Sequence, residues 1–99
     1  MPRALIGYGI NLSTDFSNIS VYPNPTIDRI NVDLSNINTE TEEVKIGIYD
    51  PKGAEIMTKI ISGSGIELID LSYFPATAYQ IVIKQGLETI HQSSIIKVK

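Results

Sequence analysis

Short runs of alternating hydrophobic and polar residues recur along the chain from Ile19 onward, and they predict seven β-strands. In one of them Ile30, Val32 and Leu34 alternate with polar residues, which is typical of a strand with one buried face. No segment shows the 3.6-residue period of an amphipathic helix. The predicted strands are residues 19–22, 30–34, 44–49, 55–61, 66–71, 79–84 and 87–99, the last bent near residues 92–94.

Turn residues separate these runs. Pro23-Asn24-Pro25 closes the first strand and predicts that it lies at an edge, because proline cannot donate to a sheet ladder. Asp50-Pro51-Lys52-Gly53 suits a β-turn, with proline at the second position and glycine at the last, so the flanking strands form a hairpin. Regular short strands with turns between them indicate a sandwich or a barrel.

The segment from Pro75 to Tyr79 favours a sandwich over a barrel. A tyrosine near the start of the sixth strand, bonded back to upstream backbone, is the tyrosine corner of fibronectin-type sandwiches. The alternative is that Tyr79 is only an aromatic strand residue. We therefore predict an all-β fold, a seven-stranded immunoglobulin-like or fibronectin III-like antiparallel β-sandwich.

Length and composition limit what this fold can do. The chain has 99 residues, enough for one domain, and residues 1–18 lack periodicity and read as a linker or tail before a domain at 19–99. The net charge of −3, with scattered basic residues, argues against nucleic-acid binding. Cysteine is absent, which excludes disulfides and thiolate chemistry, and no apolar run is long enough to span a membrane.

Residues suited to catalysis are few. His91 is the only histidine, and neither a nucleophile elbow nor a phosphate-binding loop is present. A calcium site formed by Asp50 with the loop at Glu40–Glu43 is left open, but no EF-hand spacing supports it. We therefore predict no enzyme, no cofactor and no metal site.

Five motifs, in order, carry a family resemblance from Val21 to Lys99. They are Val21-Tyr22-Pro23-Asn24-Pro25-Thr26 followed by Ile30-Asn31-Val32, then Ile48-Tyr49-Asp50-Pro51-Lys52-Gly53-Ala54-Glu55-Ile56, Ile69-Asp70-Leu71-Ser72-Tyr73-Phe74, Tyr79-Gln80-Ile81-Val82-Ile83 and Ile95-Ile96-Lys97-Val98-Lys99. Together they resemble the type A C-terminal sorting domain of the type IX (Por) secretion system of Bacteroidota. One departure is Thr77, where that family usually has glycine two residues before the tyrosine.

The resemblance implies a secretion signal at the end of a larger exported protein. Residues 1–18 would then join the domain to an absent upstream cargo, which would pass through the periplasm to the outer-membrane surface or beyond. The implied partners are components of the outer-membrane translocon and a surface sortase-like peptidase that cuts between about residues 11 and 20. The residues implied in recognition are Tyr22, Pro23, Asn24, Pro25, Gly53, Asp70, Tyr79, Ile96, Lys97, Val98 and Lys99.

A second interpretation uses the fold alone. A fibronectin-like binding or spacer module of a surface protein, an adhesin or a carbohydrate-binding unit, fits the same strand pattern. Further domains after this one in the full gene would favour it. Because exposed strand edges can pair with one another, we expect a monomer or a weak homodimer.

Overall fold

A computed structural model of the chain describes residues 19–37, 42–61 and 65–99. Every strand predicted from the sequence is present; β3 and β4 have the predicted bounds, and the bounds of the others differ by one to three residues, as is usual at strand ends. The predicted linker, residues 1–18, lies outside the described residues. The strands are β1 (Ser20–Tyr22), β2 (Arg29–Asp33), β3 (Val44–Tyr49), β4 (Glu55–Ile61), β5 (Ile66–Asp70), β6 (Ala78–Gln85) and β7 (Glu88–Ile96).

Two antiparallel sheets pack face to face and confirm the predicted sandwich. One sheet has the order β1-β2-β5 and the other the order β4-β3-β6-β7. In constant-type immunoglobulin domains the fourth strand joins the first sheet, whereas here β4 pairs with β3 across the hairpin at residues 50–54. Within the described residues, no helix is long and apolar enough to cross a membrane.

Hydrophobic residues that alternate with polar ones along the strands form the core between the two sheets. Ile30 and Val32 of β2 belong to the same core cluster as Ile46 and Ile48 of β3, and all four are almost fully buried. β-branched residues fit this arrangement because their stiff side chains pack well on a pleated surface. The remaining buried apolar residues are Ile19, Leu34, Val44, Ile61, Ile69, Leu71, Tyr79, Ile81, Ile83 and Ile95.

The connections between strands gather at two ends of the sandwich. β3 ends where β6 begins, since Tyr49 pairs with Gln80, and β1 ends where β2 begins, since Tyr22 pairs with Asn31. We call this the motif end. It carries the β1–β2 loop (23–28), the β3–β4 turn (50–54), the β5–β6 loop (71–77) and the residues after β7 (97–99).

The predicted bend in the last strand is misplaced. The register of β6 with β7 is regular through residues 92–94, and it shifts where Ile83 pairs with His91 but Lys84 pairs with Thr89. Ile90 is therefore the extra residue of a β-bulge. The sequence around residues 92–94 is polar, but polarity does not disturb a ladder whose backbone groups remain paired.

The tyrosine corner is confirmed. Tyr79 is 2% exposed, and its hydroxyl donates a hydrogen bond to the carbonyl of Pro75, four residues upstream. Burial raises the pKa of the Tyr79 phenol above its ordinary value, and the negative charge of Asp50 raises it further. The corner thus ties the β5–β6 loop to the core at the motif end.

Replacing Tyr79 by phenylalanine is expected to lower the free energy of unfolding by about 1–2 kcal/mol, because the Pro75 carbonyl loses its partner. Tyr73→Phe is the matched control, since Tyr73 is almost fully exposed. Urea unfolding measures both.

The raised pKa of Tyr79 adds a pH dependence. The stability of the parent is expected to fall as the pH rises through and above the ordinary tyrosine value near 10, and Tyr79→Phe should lack this loss. Equal stability of the two variants, or an unchanged alkaline profile, would contradict the role of the hydroxyl.

Candidate recognition surface

Asn24, between the two prolines, binds the backbone of β7. Its Nδ2 donates to the carbonyl of Ser94 at 2.9 Å, and its Oδ1 accepts from the N–H of Ile96 at 2.9 Å. The peptide bonds before Pro23 and Pro25 are both cis. The asparagine amide therefore takes the place of a peptide group from a neighbouring strand and covers the free edge of β7.

Thr26 continues this pairing. Its N–H donates to the carbonyl of Ile96 at 2.9 Å, and its carbonyl accepts from the N–H of Val98 at 2.8 Å, which forms a parallel bridge opposite Lys97. The segment 24–26 thus runs parallel to residues 95–97. Residues 70 to 72 positions apart in sequence are joined here by four hydrogen bonds.

The Thr26 side chain fixes the loop that follows. Thr26 is 3% exposed, and its hydroxyl donates to the carbonyl of Arg29 at 2.6 Å and lies 3.3 Å from the N–H of Asp28. The Asp28 carbonyl in turn accepts from the N–H of Leu71 at 2.7 Å. The opening loop is therefore connected to the β5–β6 loop as well as to β7.

Lys97 lies on the inner side of its bridge with Thr26. It is 6% exposed, and its N–H donates to the carbonyl of Thr77 at 2.9 Å, close to the tyrosine corner. A lysine can bury its aliphatic stem in this way. Ile96, Val98 and Lys99, in contrast, are exposed. The residues that form the outer surface of this terminal segment are therefore two apolar side chains and Lys99.

Gly53 and its turn border an open groove at the motif end. Gly53 has φ 89°, a conformation that favours glycine, and its N–H donates to the carbonyl of Asp50 at 2.9 Å. The Asp50 carboxylate accepts from the N–H groups of Lys52 and Ala54, both at 2.9 Å. The groove has a volume of about 420 Å³ and is lined by Tyr49, Asp50, Pro51, Gly53, Ala78, Gln80, Val82 and Gln92.

Asp70 ends β5 and caps the turn after it. Its carboxylate accepts from the N–H of Ser72 at 2.9 Å, and hydrogen bonds from the side chain and backbone of Ser72 hold the pKa of Asp70 below its usual range. Arg29, its register partner on β2, lowers the pKa further. These contacts explain the Ile-Asp-Leu-Ser motif as a strand end with a capped turn.

The open alternative of a calcium site is not supported by the described residues of its loop, Glu42 and Glu43, and Glu40 lies outside the described residues. Glu43 directly precedes β3, whereas Asp50 directly follows it, so the two lie at opposite ends of a six-residue strand. An extended strand of that length separates them by roughly 20 Å. The lone histidine, His91, is half-buried on β7, with its Nε2 at 2.9 Å from the Ser93 hydroxyl.

The structure brings all the residues implied in recognition to the motif end. Asn24 contacts the terminal segment directly, while Gly53 and Asp70 lie in neighbouring turns. Tyr79 and Lys97 are buried, so their side chains support this surface from below. Thr26 is missing from the predicted set, although a threonine followed two residues later by aspartate is a signal for a hydroxyl-bonded turn.

Two comparisons with known proteins found similar sequences. The family model described as "Secretion system C-terminal sorting domain" matches residues 20–97. Ulvan lyase NLR42 of Nonlabens ulvanivorans is 26% identical over 84 residues, a match that covers 85% of this chain and 15% of the lyase. The chain therefore spans only a small part of the length of that curated relative.

Proposed function

Because the chain belongs to the family of secretion system C-terminal sorting domains, we propose that the outer-membrane translocon recognises it as a folded unit and that it is then cleaved from its cargo. The family is that of the type IX system, so the domain is a sorting signal that directs export toward the cell surface or the extracellular space. Passage through the periplasm and removal by a surface sortase-like peptidase are the finer steps of the proposal.

The observation that supports recognition of a folded unit is the junction between the two ends of the sequence. Asn24 and Thr26, from the opening motif, hydrogen-bond Ser94, Ile96 and Val98, from the terminal one. Neither segment can hold this geometry alone, because each segment supplies the hydrogen-bond partners of the other. A receptor that contacts this junction would distinguish the folded domain from an unfolded tail.

The direction of β1 supports a position of the cargo away from the motif end. Ser20, the first residue of β1, pairs with Asp33 at the end of β2, so the chain enters the sandwich at the opposite end. Strands of eight residues, such as β6, span roughly 26 Å. An upstream cargo would therefore leave the motif end uncovered for the translocon.

The same arrangement suits cleavage between about residues 11 and 20. The first described strand begins at Ser20, so a cut ahead of it would separate the cargo without removing a strand from either sheet. Peptidases act on extended chain outside packed elements. The upstream cargo in the same polypeptide, the translocon and the peptidase are the partners that this proposal requires.

The test is a reporter with an N-terminal export signal fused to residues 19–99. We expect the reporter in the culture fluid or on the surface of a type IX-competent strain, and in the periplasm of a strain that lacks the translocon. The reporter without the domain is the control. Equal release from both strains, or retention in the periplasm of both, would contradict the proposal.

A further inference from the structure

In the terminal segment, residues 95–99, a lysine side chain is buried and two apolar side chains are exposed, which is the reverse of the pattern expected of a solvated strand. Lys97 lies inward at 6% exposure, while Ile96 and Val98 point outward at 41% and 42%. Opposite them, Thr26 lies inward, and Pro25 and Ile27 lie on the exposed side, with Ile27 at 65%. The inward position of Lys97 is fixed by the bridge to Thr26, so these apolar side chains are held in solvent by backbone pairing.

Both sequence motifs contribute to one apolar patch. In a parallel bridge the residues that flank the paired positions project on the same side, so Pro25 and Ile27 lie beside Ile96 and Val98. We call these four residues the junction patch. Ile96 is also the register partner of Ala78, which lines the open groove on the outer face of the four-stranded sheet. The junction patch is therefore continuous with that groove.

We propose that the junction patch is the docking surface for an export receptor, a protein that presents an apolar pocket with an acidic rim. This inference rests on the proposed sorting function and names the part of the domain that is contacted. The pocket would receive Ile27, Ile96 and Val98, because apolar side chains held in water gain most from burial against a partner. The exposed Lys99, directly after the patch, favours an acidic rim.

A second copy of this chain is a poor occupant of the patch. Three partly exposed aliphatic side chains offer on the order of a few hundred Å², whereas a stable dimer buries about 800 Å² on each partner. A receptor can surround the patch with further surface of its own, and a second copy contributes only the same small patch.

The test introduces charge at the patch without disturbing the core. Ile27→Asp and Val98→Asp, each in the reporter fused to residues 19–99, are expected to lower export at least about tenfold, the effect of losing roughly 1.4 kcal/mol of binding. Ile27→Leu keeps the apolar surface and should export normally. The controls are Ile60→Asp, at 61% exposure, and Leu87→Asp, at the β6–β7 turn of the opposite end, and both should stay within about twofold of the parent.

The outcomes separate this inference from the proposed function. If the reporter with the parent domain is not exported, the sorting proposal itself fails. If it is exported and both patch variants are exported to the same extent, the proposed docking surface is wrong. Equal losses in patch and control variants also overturn it. Thermal unfolding checks that Ile27→Asp, in an exposed loop, keeps the fold. Sedimentation should show a monomer, and a dimer abolished by Ile27→Asp would assign the patch to self-association.

Discussion

Removal of residues 95–99 is expected to lower the free energy of unfolding by about 5 kcal/mol or more, which is at least a third of the stability of a small domain. Ile95 is fully buried opposite Tyr79, and loss of such a side chain costs about 3 kcal/mol. The deletion also removes the hydrogen bonds between Ile96 and Asn24, between Thr26 and both Ile96 and Val98, and between Lys97 and Thr77, each worth about 1 kcal/mol. Small domains have only about 5–15 kcal/mol in total.

Urea unfolding of the shortened chain measures this loss. The matched control removes only residues 98 and 99, which breaks a single backbone hydrogen bond, from Val98 to Thr26, and should cost about 1 kcal/mol. A shortened chain, residues 1–94, that unfolds within about 1 kcal/mol of the parent would show that the terminal segment does not hold the sandwich together.

This expected result changes how deletions at the terminus are interpreted. Loss of export after removal of residues 95–99 follows equally from a missing receptor contact and from an unfolded domain. Val98→Asp separates the two explanations, because Val98 contributes its backbone to the bridge while its side chain is 42% exposed. We therefore expect a structural role of the terminal segment through its backbone, and we propose an interaction role through its outward side chains.

The strands could be predicted from the sequence because their signal is local. Ile46 and Ile48 follow a two-residue period in β3, and Asp50 with Gly53 marks the turn that follows. The corner at Tyr79 was predictable for the same reason, since its partner is only four residues upstream. Local alternation thus suffices for the fold class and for the approximate strand bounds.

The junction could not be predicted in this way. Asn24 and Ile96 are 72 residues apart, and nothing local in Pro23-Asn24-Pro25 indicates that the amide pairs with a strand edge. The sequence also does not indicate which side chains of the terminal segment point toward the core, because Ile95 and Ile96 are adjacent and equally apolar. The pairing of Ile95 with Tyr79 and of Lys97 with Thr26 decides that Ile95 and Lys97 lie inward.

The central claim is that the signal is a folded sandwich recognised at its motif end, and not a linear tail. Its most direct test compares two reporters in one type IX-competent strain, the first fused to residues 19–99 and the second to residues 88–99 alone. The second contains all of β7 and the terminal residues, but it lacks the β1–β2 loop that holds them.

The measurement is the fraction of each reporter that the strain releases into the medium. We expect release of the first reporter and retention of the second, because residues 88–99 alone have neither β6 to pair with nor Asn24 and Thr26 to fix the junction patch. Equal release of both reporters would contradict the account and show that the translocon reads the terminal peptide itself.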